Sequence, residues 1–204
     1  PIKSSAASDV YKRQSLIRQV YPKMKIVGNA KTLSMIEGFY GIAGGTVEVK
    51  EGNTLDLGGK TLSFHMIPMV HWPETMVTWC AGDRTLFSGD AFGTFGALDG
   101  NLFADEINFV SEKLPEARRY YANIVGKYGA QAQALLKKAA GLEISAIYPL
   151  HGPLLKDNLA HYIGKYQLWS SYTPEESGVL IAYASIYGHT SQAAKALSDM
   201  LSRR

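Results

Sequence analysis

Cysteine is almost absent from this chain: Cys80 is the only one in 204 residues. A single thiol excludes an internal disulfide and any metal site built from cysteine pairs. It also points to a reducing compartment, most simply the cytoplasm. No apolar run approaches the roughly 20 residues that a helix needs to cross a bilayer, so no membrane span is expected. No charged-then-apolar leader opens the chain, and a signal peptide is not expected either. A strong excess of one charge is missing too. The formal net charge is +3, and residues 1–14 (PIKSSAASDVYKRQ) contribute +2 of it through Lys3, Lys12 and Arg13 against Asp9. Removing those residues from the totals of 21 basic and 18 acidic groups leaves 18 against 17. With no basic patch, nucleic acid and anionic membranes are excluded as natural partners.

What is present is the material of a folded core: 46% hydrophobic, 11% aromatic and 19% charged residues, which excludes a disordered chain. Residues 1–14 are polar and without periodicity, and they read as a non-native, adapter-like leader outside the fold. From Ser15 the pattern becomes regular. A short helix at 15–21 and a strand at 24–28 precede a helix over Lys31–Phe39. Strands are expected at Thr46–Lys50, Thr54–Leu57 and Thr61–Met66, with Asn53 and Gly58-Gly59 supplying turns. In the third, Leu62, Phe64 and Met66 alternate with Thr61, Ser63 and His65. Residues 76–80 and 85–89 form a hairpin, and the Gly-rich segment 93–101 a loop. Helices are expected over Pro115–Tyr128, with Pro115 at its start, and over Ala130–Ala140. ISAIYPL (144–150) reads as a buried strand and Leu155–Trp169 as a helix. SSYTPEES (170–177) is linker-like. Beyond it, GVLIAYAS (178–185) reads as a strand buried on both faces, followed by a loop and a helix over Thr190–Leu201. That last unit of about 27 residues is too small to bury a core alone.

Three polar residues follow strand-like runs: His71, Asp90 and His151. Side chains at strand ends can meet at one edge of a sheet. Two imidazoles and a carboxylate there make a partial metal site, because neutral His suits iron and zinc and a carboxylate can bridge two cations. His65 lies mid-strand on a polar face and His161 on a helix, and both read as surface or supporting residues. Cys80 reads as buried rather than reactive. A second candidate is ASIYGHT (184–190). There a buried run ends and a helix opens, so backbone N–H groups, Ser185, Thr190 and the permissive Gly188 could cradle a phosphate. The alternative is an ordinary turn with Thr190 as N-cap.

HWPETM (71–76), LFSGDAFG (86–93), LHGP (150–153) and YASIYGHT (183–190) stand in this order, with 18 residues between His71 and Asp90 and 60 between Asp90 and His151. In these motifs the chain resembles the flavodiiron proteins, or A-type flavoproteins, from about Ser15 to the end. The resemblance implies an α/β fold. A metallo-β-lactamase-like αββα sandwich, N-terminally truncated (15–169), would be followed by a linker (170–177) and the first strand and helix of a flavodoxin-like domain (178–204). It implies two non-haem irons, with His71 and His151 as terminal ligands to different irons and Asp90 as the bridge. It implies FMN, its phosphate held by Ser185, Ile186, Tyr187, Gly188, His189 and Thr190. The family has Asn where His189 stands. It takes four further iron ligands from a His-x-Glu-x-Asp-His motif, whose place here is occupied by the leader. The implied activity is reduction of O2 to water or NO to N2O with electrons passed through FMN. A rubredoxin-like protein or flavin reductase would be the donor, and the assembly a head-to-tail homodimer or tetramer. This chain would then be an inactive fragment of the parent enzyme. A zinc hydrolase of the wider metallo-β-lactamase superfamily is the alternative, since His, Asp and His recur there.

Overall fold

The computed structural model describes residues Ile17–Arg203; the expectations for residues 1–16 lie outside them. The chain divides into two units, one ending at Thr173 and the other starting at Pro174.

In the first unit a helical turn at 17–20 precedes β1 (Ile26–Gly28) and α1 (Ala30–Tyr40). Asn29 starts the helix by accepting the Thr32 N–H on its Oδ1 at 3.0 Å. Gly41, with φ 65°, ends it by donating its N–H to the Glu37 carbonyl, the left-handed close that suits glycine. β1 then pairs in parallel with β2 (Thr46–Glu48). Ile26 and Ile36 bury themselves between this two-stranded sheet and α1.

The second sheet holds β3 (Thr54–Asp56), β4 (Thr61–Met66), β5 (Met76–Cys80), β6 (Thr85–Gly89) and β7 (Ala146–Pro149), hydrogen-bonded in that order. The first three pairings are antiparallel and β6–β7 is parallel. The expected β5–β6 hairpin is therefore present. Between Phe87 and Gly89 the β6–β7 register shifts by a residue, leaving Ser88 as a bulge. Its side chain is fully buried, and its hydroxyl donates to the Ala91 carbonyl at 2.7 Å.

One face of this sheet meets the helices. Leu86 and Ile147 are 0% exposed there, and burying each contributes about 1.5–3 kcal/mol. The opposing helices are α2 (Phe109–Glu112), α3 (Leu114–Tyr120) and α4 (Gly129–Ala139), with α5 (Leu159–Ser170) beyond β7. Phe109, Leu114, Tyr121, Leu135 and Tyr166 join Val77, Leu86 and Ile147 in one core.

Two helices differ from the sequence expectation. The helix expected over 115–128 is regular only to Tyr120, then widens to a π-turn at Tyr121–Val125 and tightens to a 3-10 turn at Gly126–Tyr128. Tyr121 and Val125, at the two ends of the π-turn, both lie in the core. The helix expected from Leu155 starts at Leu159, because Leu155 exchanges both backbone hydrogen bonds with Ile147 at 2.7 and 2.9 Å. That bridge covers the outer edge of β7, where a bare strand would invite foreign pairing.

In the second unit, the strand expected at 178–185 is not formed: the segment carries no strand and pairs with none among the described residues. Val179 is 72% and Leu180 91% exposed. An apolar run becomes a strand only where a neighbour accepts its backbone groups, and none is described here. α6 (His189–Leu201) follows.

Candidate metal centre and phosphate loop

Strands β4, β6 and β7 run in the same direction, so their carboxyl ends share one edge of the sheet. His71, Asp90 and His151 all follow those ends, and the structure brings the three together. His71 lies deeper in its loop than a strand-end position. It sits midway between β4 and β5, in a loop pinned by Ile67 N–H to Thr75 O (3.0 Å) and Met69 N–H to Trp72 O (2.7 Å). Asp90 stands immediately after the bulged end of β6. His151 follows β7, where the Leu150 N–H donates to the Gly89 carbonyl at 2.9 Å and carries the β6–β7 pairing up to the site.

The geometry is specific. His71 Nε2 is 3.1 Å from Asp90 Oδ2, and His151 Nε2 is 3.8 Å from Asp90 Oδ1. The two imidazoles thus approach different oxygens of one carboxylate. That carboxylate is nearly buried, and its Oδ1 has no hydrogen-bond partner. An orphaned buried carboxylate oxygen is costly unless a cation or donor meets it. Among the described residues, no group of three or more His, Cys, Asp or Glu side chains is set to hold one metal ion. The donor set instead offers one nitrogen and one oxygen on each side of Asp90. This fits a carboxylate shared between two cations, and it leaves both coordination shells incomplete.

Several further residues support the site. Thr94 donates its N–H to the His151 carbonyl at 3.1 Å. Gly152 has φ 83°, and a Cβ there would lie 2.6 Å from the Thr94 Cβ, so both conformation and space demand glycine. The Tyr120 ring packs 5.7 Å from that of His151 and fills the space that a side chain at Gly93 would take. Burial, reinforced by the Asp90 charge, holds the Tyr120 phenol well above its ordinary pKa, and burial does the same for Tyr166. Both phenols therefore stay protonated beside the carboxylate. Gly93 and Gly152 lie within the LFSGDAFG (86–93) and LHGP (150–153) motifs, whereas Thr94 and Tyr120 lie in none.

The other histidines lie off the site, as expected. His65 Nε2 contacts Ser63 Oγ at 3.0 Å, and its Nδ1 lies 3.6 Å from Glu51 Oε1. His161 is half-buried on α5. Cys80 is 2% exposed.

In the second unit the loop Ser185–Thr190 folds on itself. The Gly188 N–H donates to Ser185 Oγ at 3.0 Å, and Gly188 takes φ 85° with open space around it. α6 starts at His189, one residue earlier than expected. Gly188, not Thr190, is its N-cap, and no side chain caps the first turn. Ile186 and Tyr187 are 92% and 88% exposed. An uncapped first turn behind an open glycine fits a phosphate.

The profile of the ODP family beta lactamase matches residues 7–152. The chain belongs to the ODP beta-lactamase family. Solved structures place this ODP chain's sandwich beside flavodiiron proteins, as the four motifs led us to expect. A flavo di-iron protein from Thermotoga maritima is 31% identical with a TM-score of 0.80, over 88% of this chain and 44% of that one. The rubredoxin oxygen:oxidoreductase of Desulfovibrio gigas is 31% identical with a TM-score of 0.68, over 74% of this chain and 38% of that one. The anaerobic nitric oxide reductase flavorubredoxin of Aeromonas salmonicida is 36% identical over 154 residues, which are 74% of this chain and 29% of that protein. The chain thus spans about a third of the curated relatives it matches. Its metallo-β-lactamase-like α/β sandwich is that of the family.

Proposed function

We propose that the protein carrying this chain reduces O2 to water, or NO to N2O, at a non-haem diiron centre supplied with electrons through FMN. The observation that carries the reading is the placement of His71 and His151 against opposite oxygens of the buried Asp90 carboxylate. His71 and His151 would each bind one iron and Asp90 would hold both. An iron pair, when bound, supplies two adjacent electron-rich sites for a diatomic substrate. The rest falls to the protein. The 67–75 loop and the Thr94–His151 hydrogen bond orient the imidazoles. Tyr120 walls the site by packing its ring against that of His151.

The Ser185–Thr190 loop would take the FMN phosphate, with Gly188 letting the backbone approach and the first-turn N–H groups of α6 meeting the anion. Ser185, Ile186, Tyr187, Gly188, His189 and Thr190 are the residues we assign to it. Electrons would come from a rubredoxin-like protein or a flavin reductase, in a cytoplasmic head-to-tail homodimer or tetramer. The domain limits we propose are 15–169 for the diiron unit, 170–177 for the linker and 178–204 for the flavin unit.

The test is anaerobic titration of the chain with Fe(II) and, separately, Zn(II). Three ligand residues give weak, sub-stoichiometric binding, because metal affinity scales with a complete, deprotonated ligand set. Asp90→Asn removes what binding there is, and His71→Ala or His151→Ala each weakens it. Binding that is indifferent to all three substitutions overturns the proposal. Tight, colourless Zn(II) binding without iron affinity favours the hydrolase alternative instead.

A further inference from the structure

Ser63, His65 and Glu51 form a second polar cluster, outside all four motifs. Ser63 and His65 lie two residues apart on β4, so the pleat turns both to one face of the sheet. Ser63 Oγ is 3.0 Å from His65 Nε2, and the other ring nitrogen, Nδ1, is 3.6 Å from Glu51 Oε1. Glu51 comes from the turn before β3. Its second oxygen, Oε2, accepts from Lys138 Nζ of α4 at 2.7 Å and from the Met66 N–H at 2.8 Å. Two donors on one oxygen hold the carboxylate in place and leave Oε1 facing the imidazole.

A serine hydroxyl is a weak nucleophile until an adjacent base takes its proton, and that base works best when a third group orients it. A carboxylate facing Nδ1 favours the tautomer that carries its proton there, which leaves Nε2 to accept the Ser63 O–H. Nucleophile, base and anchored anion thus stand in sequence. The pair is also within reach of solutes. β3 is an edge strand, and Thr54, which faces Ser63 across the β3–β4 pairing, is exposed. The His65 side chain keeps 19% of its surface open.

We propose that Ser63 is an acyl-accepting nucleophile for small carboxylic esters, with His65 as its general base and Glu51 as a positioning residue. Ser63 Oγ bonds to the ester carbonyl carbon while its proton passes to His65 Nε2. The bond from that carbon to the leaving alkoxide breaks, and the alkoxide takes the proton from His65. Water then attacks the acyl-serine, giving its proton to His65, which returns it to Ser63 Oγ as the acyl group leaves as a carboxylic acid. No electrons are exchanged and no metal takes part, so the proposal stands apart from the diiron reading.

The probe is a fluorophosphonate, which loses fluoride as it bonds to a base-activated serine and spares ordinary hydroxyls. The intact chain is treated with it in the presence of a metal chelator, and the labelled residue is read by peptide mass spectrometry. Ser63 should carry the label. Ser111, an exposed serine on α2 whose hydroxyl donates to the Asn108 carbonyl at 3.3 Å, should not. His65→Gln, which keeps a hydrogen-bonding side chain but no base, should slow labelling on the order of a hundredfold. Glu51→Gln should slow it less, and Glu51→Asp, which keeps the charge, should recover part of that loss. Hydrolysis of p-nitrophenyl acetate should fall in the same order. An unlabelled Ser63 in the unsubstituted chain overturns the inference, whether or not the variants fold, and so does labelling that is indifferent to His65→Gln. Because the chelator removes metal throughout, neither result bears on the diiron reading.

Discussion

Two apolar runs of similar length, 144–150 and 178–185, end in opposite states. The first becomes β7, held by β6 on one side and by Leu155 on the other. The second carries no strand, and Leu180 is 91% exposed where Ile147 is 0%. By composition the two are alike, each with two β-branched residues and one tyrosine. The contrast shows that strand formation belongs to the pair rather than to the segment: backbone groups must find partners before apolar side chains can be buried.

Hydrogen exchange should give the widest separation between the two regions. Amides of Ile147 and Leu155, which bond each other, should be protected on the order of a thousandfold or more over those of Leu180–Tyr183. Similar exchange at both would show that 178–185 pairs in solution. Core substitution should separate them next. Leu86→Ala is expected to cost about 2–5 kcal/mol, whereas Leu180→Ala should stay within about 0.5 kcal/mol, both read from urea melts. Equal costs would mean that the second run is buried after all.

The glycines sharpen the contrast further. Gly152 and Gly188 share a left-handed backbone, at φ 83° and 85°, but an added Cβ meets Thr94 at 2.6 Å in the first case and open space in the second. Gly152→Ala should cost about 2–4 kcal/mol from strain plus overpacking and displace His151. Gly188→Ala should leave the melting transition of the first unit unmoved. The smallest effect concerns Glu51, whose carboxylate accepts hydrogen bonds from Lys138 Nζ at 2.7 Å and Met66 N–H at 2.8 Å. Burial raises its pKa, but these bonds and the nearby Lys138 and His65 outweigh it, so the group ends below the ordinary carboxylate range. A lowered folded-state pKa adds stability that is present above the ordinary carboxylate pKa and lost as pH falls through the folded value. Half-exposed as it is, Glu51 should contribute only a few tenths of a kcal/mol. Lys138→Gln should flatten the acid limb of a stability–pH curve by that amount.

Much of the sandwich could be read from residues alone. The alternation over Thr61–Met66 and the 76–89 hairpin stand where expected, because local patterning and turn residues agree with the tertiary pairing. That His71, Asp90 and His151 could meet was legible because each follows a strand-like run; the shared direction of β4, β6 and β7 that brings them together emerges only from the pairing. Other features were not, because they are settled by distant neighbours. The π-turn after Tyr120 answers to the core facing α5, and the late start of α5 answers to the bridge with Ile147. Thr94, Gly152 and Tyr120 gain their roles only once β6, β7 and α3 are assembled.

The bulge at Ser88 has a consequence for variation within the family. A strand's side chains alternate in strict parity, so one inserted residue acts as a shim that resets which way everything after it points. Deleting a residue from 85–89 would turn the Asp90 carboxylate away from both imidazoles while leaving the ladder intact. Related chains should therefore hold the length of this strand invariant and spend their insertions and deletions in the Gly-rich stretch at 93–101.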